Sequence, residues 1–201
     1  EEIANHLGIS PAQLPFIAEL IQVKSDASDW EAVIEKLLRG FAIRLIVPES
    51  YYSEVNSYVN RVNLGTRLVY HKVPDNYLSE GRVFAPPKSL VNKLMFHPES
   101  QYSAWVKDQI LSTYDFLCAD TLGEFETYRK AITREGLIKA ASRHEKDDSG
   151  RGHSRSQYVL GWSNTGKVDH IVADIHREQA KVEECLTEQK RLQEQQDQQD
   201  W

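Results

Sequence analysis

The C-terminal tail constrains this chain more than any other part of it. Val168, Ile171, Ile175, Val182, Cys185 and Leu192 fall on the a and d positions of one heptad frame, which Glu178 and Gln189 interrupt. Apolar residues spaced alternately by three and four positions line one stripe of a helix, and the surrounding Glu, Gln, Lys and Asp make that stripe a coiled-coil seam. Ser163 is a fair N-cap. A helix from there to about residue 199 would span roughly 55 Å at 1.5 Å per residue. Such a helix needs a partner, and residues 1–15 cannot supply one, because Gly8, Pro11 and Pro15 break any matching heptad run. The expected partner is chain upstream of residue 1 or another molecule, with the sequence read as a segment of a longer protein.

The rest of the chain has room for one domain, or for two small lobes sharing a core. Of its 201 residues, 40% are hydrophobic and 27% charged, the balance of a packed domain rather than a disordered one. The best apolar run, 41–48, is interrupted by Arg44 and falls far short of the roughly 20 residues a membrane span needs. No charged-then-apolar leader opens the chain. Cys118 lies in an apolar run and Cys185 in a polar helix, which predicts reduced thiols and a cytoplasmic setting. The net charge of −6 is unevenly spread: between Arg129 and Arg155 eight basic residues face four acidic ones, whereas the tail from Ser163 holds five against nine.

Helix and strand signals alternate through the body of the chain. Residues 29–38 read as a helix stopped by Gly40, 41–47 as a buried strand, 49–62 as a second helix with Tyr52, Val55, Val59 and Val62 inward, and 67–73 as a second strand. These make a βαβ-like first lobe, 29–78. Four prolines fall within 74–98, Pro74, Pro86, Pro87 and Pro98, and the irregular crossing is placed over 79–100. A second lobe, 101–162, repeats the rhythm with a helix over 102–111, a strand over 114–118, and a helix over 121–130 capped by Thr121 and Glu124. Short strands at 131–133 and 137–139 turn at Glu135-Gly136, and 140–156 reads as a basic loop. Residues 1–28 are expected as an approach from an upstream coiled coil, and 163–201 as its departing arm. The predicted class is α/β (α+β), two-lobed, with an attached coiled-coil helix.

This pattern resembles the hinge of the SMC family of DNA-organising ATPases, on the runs 30–40, 42–47, 51–62 and Gly65-Thr66-Arg67-Leu68-Val69-Tyr70 in the first half. In the second half the carriers are Phe116-Leu117-Cys118-Ala119-Asp120, 122–128 and Ile132-Thr133-Arg134-Glu135-Gly136-Leu137-Ile138. A closer resemblance is to the JetC-type ATPase subunit of Wadjet plasmid-defence complexes, relatives of the MukB and MksB condensins. It rests on Trp30-Glu31-x-x-Ile34-Glu35-x-Leu37-Leu38, Ala131-Ile132-Thr133-Arg134-x-Gly136-x-Ile138-Lys139, Arg143-His144-Glu145-Lys146-Asp147-Asp148 and Tyr158-Val159-Leu160-Gly161-Trp162-x-Asn164. The chain departs from the ordinary hinge where a glycine pair after the hairpin is replaced by the basic loop and the Gly161-Trp162 turn. The resemblance implies a domain that joins two copies of a parent whose ATPase heads lie at the far ends of the coiled coils, with other subunits bound outside this segment. No Gly-x-x-x-x-Gly-Lys-Ser/Thr occurs, so neither ATP hydrolysis nor a cofactor is expected here.

Three surfaces follow as candidates. Ile132, Thr133, Gly136 and Ile138, with Gly161 and Trp162, could present an unpaired strand edge to a second copy, or could pair only within their own lobe. Lys139, Arg143, Lys146, Arg151 and Arg155 could contact DNA phosphates without reading sequence, or could pair with neighbouring acids as a solvated loop. The seam on 168–192 could instead recruit a heterologous helix. His144, with Glu145, Asp147, Asp148 and His153 nearby, could ligate a metal in a nuclease-like site, although no recognised ligand spacing is present. Trp30, Trp105 and Trp162 read as core residues, and Cys118 as a buried, inert thiol.

Overall fold

A computed structural model describes residues 1–79, 81, 84–148, 155–162 and 165–199. Its elements are, in order, α1 (Glu2–Leu7), β1 (Ile21–Val23), α2 (Glu31–Ala42), β2 (Leu45–Pro48), α3 (Tyr52–Arg61), β3 (Tyr70–Val73), β4 (Leu94–Phe96), α4 (Ser103–Thr113), β5 (Leu117–Cys118), α5 (Leu122–Thr127), β6 (Lys130–Ile132), β7 (Ile138–Ala140), β8 (Arg143–Glu145) and α6 (Thr165–Gln199), with short 3-10 turns between. The chain divides into two compact units, Glu1–Trp162 and Ser163–Trp201.

Helix α2 organises the first unit. Val33, Ile34, Leu38, Phe41 and Ala42 recur on one helical face and are all buried. The helix runs through Gly40 instead of stopping there, because the next turn delivers Phe41 to the core. Burying that ring is worth about 2 kcal/mol, more than the roughly 1 kcal/mol that a glycine costs inside a helix. The chain then enters β2, whose four residues are all buried, and α3 returns it to β3. β2 and β3 pair in parallel with Leu45 opposite Tyr70, completing the expected βαβ unit.

The second lobe makes another parallel pair. β5 and β6 flank α5, with Leu117 opposite Ala131 and Cys118 opposite Ile132. The Thr121 hydroxyl accepts the Glu124 N–H at 3.2 Å, and the Glu124 carboxylate reaches back to the Asp120 N–H at 2.9 Å, which closes the first turn of α5. β7 and β8 then add antiparallel strands, giving the order β5-β6-β7-β8. One core runs under both lobes, from Ile17, Trp30, Ile34 and Ile46 to Trp105, Ile110, Ile132 and Leu160.

Two segments differ from the sequence reading. Residues 1–28 fold into the domain as α1, 3-10 turns and β1. Ile17, Leu20 and Ile21 are buried, and β1 pairs antiparallel with β4 of the supposed crossing. Within 140–156, Arg143–Glu145 forms β8 against β7. Three-residue strands are too short to show a period, and the charges of Arg143 and Glu145 mask the last one.

Candidate functional site

The Thr133-Arg134-Glu135-Gly136 turn is built for one geometry. Gly136 holds φ 84°, a left-handed conformation that glycine adopts without penalty, and its N–H donates to the Thr133 carbonyl at 3.1 Å. The Thr133 hydroxyl accepts the Leu137 N–H at 3.3 Å. This hairpin fixes β6 and β7 in the middle of the four-stranded sheet, so each is bonded on both sides. Ile132, Thr133 and Ile138 are buried, and β6 and β7 present no unpaired edge among the described residues. Gly161 and Trp162 lie elsewhere: the Gly161 N–H donates to the Ala18 carbonyl at 3.0 Å, and Trp162 meets the ring of His97 at 5.2 Å.

The exposed edge belongs to β8. Its one strand neighbour among the described residues is β7, whereas the outer side of β5 is covered by backbone bonds from residues 88 to 90. Ala140 and Arg143 close a two-residue hairpin, which places the His144 N–H on the outer side of the ladder. β3 in the first lobe is likewise paired only with β2 among the described residues.

Among the described residues, the basic side chains do not share one face. Neighbouring residues of a strand point to opposite faces, and Lys139 and His144, paired across the sheet, share the face that carries Phe125. Lys139 Nζ donates to the carbonyl of Glu126 at 2.7 Å, at the end of α5. Arg143 lies on the other face and pairs with Glu145 at 2.6 Å, while Glu145 also meets Lys36 of α2 at 3.3 Å. Lys146 donates to the Glu135 carbonyl and pairs with Asp148 at 2.8 Å; Arg155 pairs with Glu31 at 3.3 Å. Arg151 and His153 lie outside the described residues. No three metal-ligating side chains come together among the described residues, and His144 faces Phe125 rather than an acid.

Sequence reasoning missed the residues that hold the end of this unit. Glu31, Glu35 and Arg39, spaced by four on α2, grip the strap of residues 155–162. Glu35 is only 4% exposed, and its two carboxylate oxygens accept the N–H groups of Val159 and Leu160, each at 2.9 Å. Arg39 donates to the Gln157 carbonyl at 2.7 Å. The available signal was the spacing itself, with an acid set among the inward-facing Val33, Ile34 and Leu38. A second polar junction joins Arg44, His71 and Tyr114. The Arg44 guanidinium donates to His71 Nε2 at 3.3 Å and to the Tyr114 hydroxyl at 3.4 Å, and Trp105 packs on the imidazole. Burial first, and the Arg44 charge second, hold His71 below the ordinary imidazole pKa. Burial pushes the Cys118 thiol up to about 12, so it is unreactive, as expected.

In the second unit α6 is one continuous helix. On it Ile175, Val182 and Cys185 are exposed. Val172 and Leu186 are exposed as well and widen the stripe to the e position, four residues after an a position in each case. The side chains of Val168, Ile171 and Leu192 lie outside those described, as does Ser163.

No protein-family model matches the sequence, and no curated protein matches it. Solved structures do. The folded elbow of cohesin superposes with a TM-score of 0.54 at 17% identity, over 91% of this chain and 26% of that one. The Pyrococcus furiosus Smc hinge domain with an extended coiled coil gives 0.51 at 21% identity, over 90% of this chain and 64% of that chain. The hinge domain of the Pyrococcus furiosus SMC protein gives 0.51 at 19% identity, over 73% and 78%. The fold is that of an SMC hinge domain. The hinge fold is mixed α/β, as the alternating sequence pattern implied, and no helix among the described residues is long and apolar enough to cross a membrane.

Proposed function

We propose that this chain is the hinge of an SMC-like, DNA-organising ATPase, and that it joins two copies of its parent through the exposed edge strands β8 and β3. The observation that carries the proposal is the β8 edge, which leaves the outward N–H and carbonyl of His144 available for main-chain bonding. The likeness to SMC hinge domains supports it. With one such edge in each lobe, a two-fold contact can set β8 of each copy against β3 of the other, which closes the pair without leaving a growing end. The runs 131–139, 143–148 and 158–164 support a parent that acts against plasmid DNA in a Wadjet-type complex. In that setting Arg143, Lys146 and Arg151 make backbone contacts to DNA that do not read sequence.

The mass of the chain in solution tests the dimer. At high micromolar concentration the expected value is two copies. His144→Pro removes the outward N–H while sparing the ladder to β7, and should return the mass to one copy. A wild-type chain that stays strictly monomeric removes the autonomous dimer. Charge reversal at Arg143, Lys146 and Arg151 together tests the DNA contact, which predicts weaker binding and a shallower salt dependence.

A further inference from the structure

The strap that ends the first unit is held differently from everything it covers. Among its described side chains only Leu160 is fully buried. Val159 packs half-buried against the core and Trp162 meets the His97 ring at 5.2 Å, and the other attachments are polar: Arg155 to Glu31, the Gln157 carbonyl to Arg39, Val159 and Leu160 N–H groups to Glu35, and Gly161 N–H to Ala18. The strands below it are bound by ladders and by a continuous apolar core. Segments with few buried apolar contacts open at lower free energy than core strands, and do so as cooperative pieces.

The attachment also converges on one group. Glu35 is a nearly buried carboxylate that takes the N–H groups of two consecutive residues, one on each oxygen. Replacing one of its two acceptor oxygens by an amide nitrogen sets a donor against a strap N–H, so the strap's hold depends on this side chain. Gly161 adds a backbone argument. Its φ of 124° is open to glycine and strained for other residues, so the chain is shaped to turn at this point before it enters the second unit.

We infer that residues 155–162 are a latch, closed by Glu35, which opens as a unit while the two-lobed core stays folded. Closed, it keeps the start of the coiled-coil arm tethered at Trp162. Open, it adds roughly 27 Å of extended chain to the tether, at about 3.4 Å per residue. The strands of the core stay paired while it opens. The latch is independent of how copies of the chain associate.

Amide hydrogen exchange on the whole chain tests it. The amides of Val159, Leu160 and Gly161 should exchange at least tenfold faster than those of Ile46, Leu90 and Ala119, whose N–H groups are bonded inside the core. Their exchange should also respond weakly to denaturant, because little surface opens with them. Glu35→Gln should speed the strap amides about tenfold more and leave the three core amides unchanged. If Glu35→Gln does not fold, Arg39→Ala, at an exposed position, should give the same selective increase in smaller measure. Strap amides that share the rates and denaturant slope of the core, in wild type and variant, overturn the latch.

Discussion

The guanidinium of Arg134 lies 4.6 Å from the centre of the Trp30 ring, joining the β6–β7 turn of the second lobe to the start of α2 in the first. Lys93 approaches the same ring at 5.6 Å. Arg134 also pairs with Asp120 at 2.8 Å, and Asp120 in turn with Lys88 at 3.1 Å. Bonds from Lys88 and then Arg134 hold the Asp120 carboxyl below the usual range. The stack is thus a fixed point of the lobe junction.

Arg134→Ala should cost about 1–2 kcal/mol, combining a partly desolvated cation–π contact with exposed ion pairs of small worth. Arg134→Lys should fall between, because it keeps charge and loses the planar stack. The midpoint of urea unfolding measures this, provided the slope is unchanged. A loss below about 0.3 kcal/mol would mean that Trp30 is held by its apolar neighbours alone.

What the sequence made legible here follows from pattern length. Trp30, Val33, Ile34 and Leu38 repeat over enough turns to announce α2, and Thr121 with Glu124 announced the start of α5. β1, β4 and β8 are three residues each and carry no usable period. Ile132 and Ile138 read as a candidate edge because sequence cannot show that β8 closes the outer side of β7. Glu35 was hidden for a related reason: its partners, the Val159 and Leu160 N–H groups, are main-chain groups with no residue signature.

His71 makes stability depend on pH. Its folded-state pKa is depressed below 6.5 by burial and by Arg44, so the unfolded chain binds the proton more readily. The stabilisation from neutral His71 is therefore fully present above about pH 6.5 and is lost as pH falls toward the lower folded value. His71→Gln keeps an acceptor for Arg44 and removes the titration. Thermal melts of wild type and variant should converge above neutrality, and the wild type should lose more on acidification. Parallel curves over that range would show that His71 does not report on the junction.

Ala141 opens the β7–β8 hairpin with φ 55°, a conformation that costs a residue with a Cβ about 1 kcal/mol or more. Its N–H donates to the Arg129 carbonyl at 2.8 Å, a bond glycine can keep. Ala141→Gly should therefore stabilise the chain by up to about 1 kcal/mol, the gain being trimmed by the greater freedom of glycine when unfolded. Ala141→Val should destabilise it. If glycine lowers the melting temperature, the turn is not strained by its Cβ.

A matched pair of truncations separates the two units. Ile46 is fully buried on β2, between α2 and α3 in sequence, so Ile46→Ala should cost about 2–5 kcal/mol through lost burial and the cavity left behind. Ile175 carries the same side chain on the seam of α6 but is 50% exposed. In this chain Ile175→Ala has little burial to lose and should move the unfolding of the first unit by less than about 0.5 kcal/mol. Added to a longer chain that supplies the facing helix, the same substitution should become costly, because the seam is then covered. Val182→Ala should follow Ile175→Ala in both settings. The comparison is read by denaturation followed at the tryptophans for the first unit and by far-ultraviolet dichroism for α6. A large effect of Ile175→Ala on the short chain would mean that the seam is already covered there, by a second copy, and the mass of the chain in the same buffer would show it.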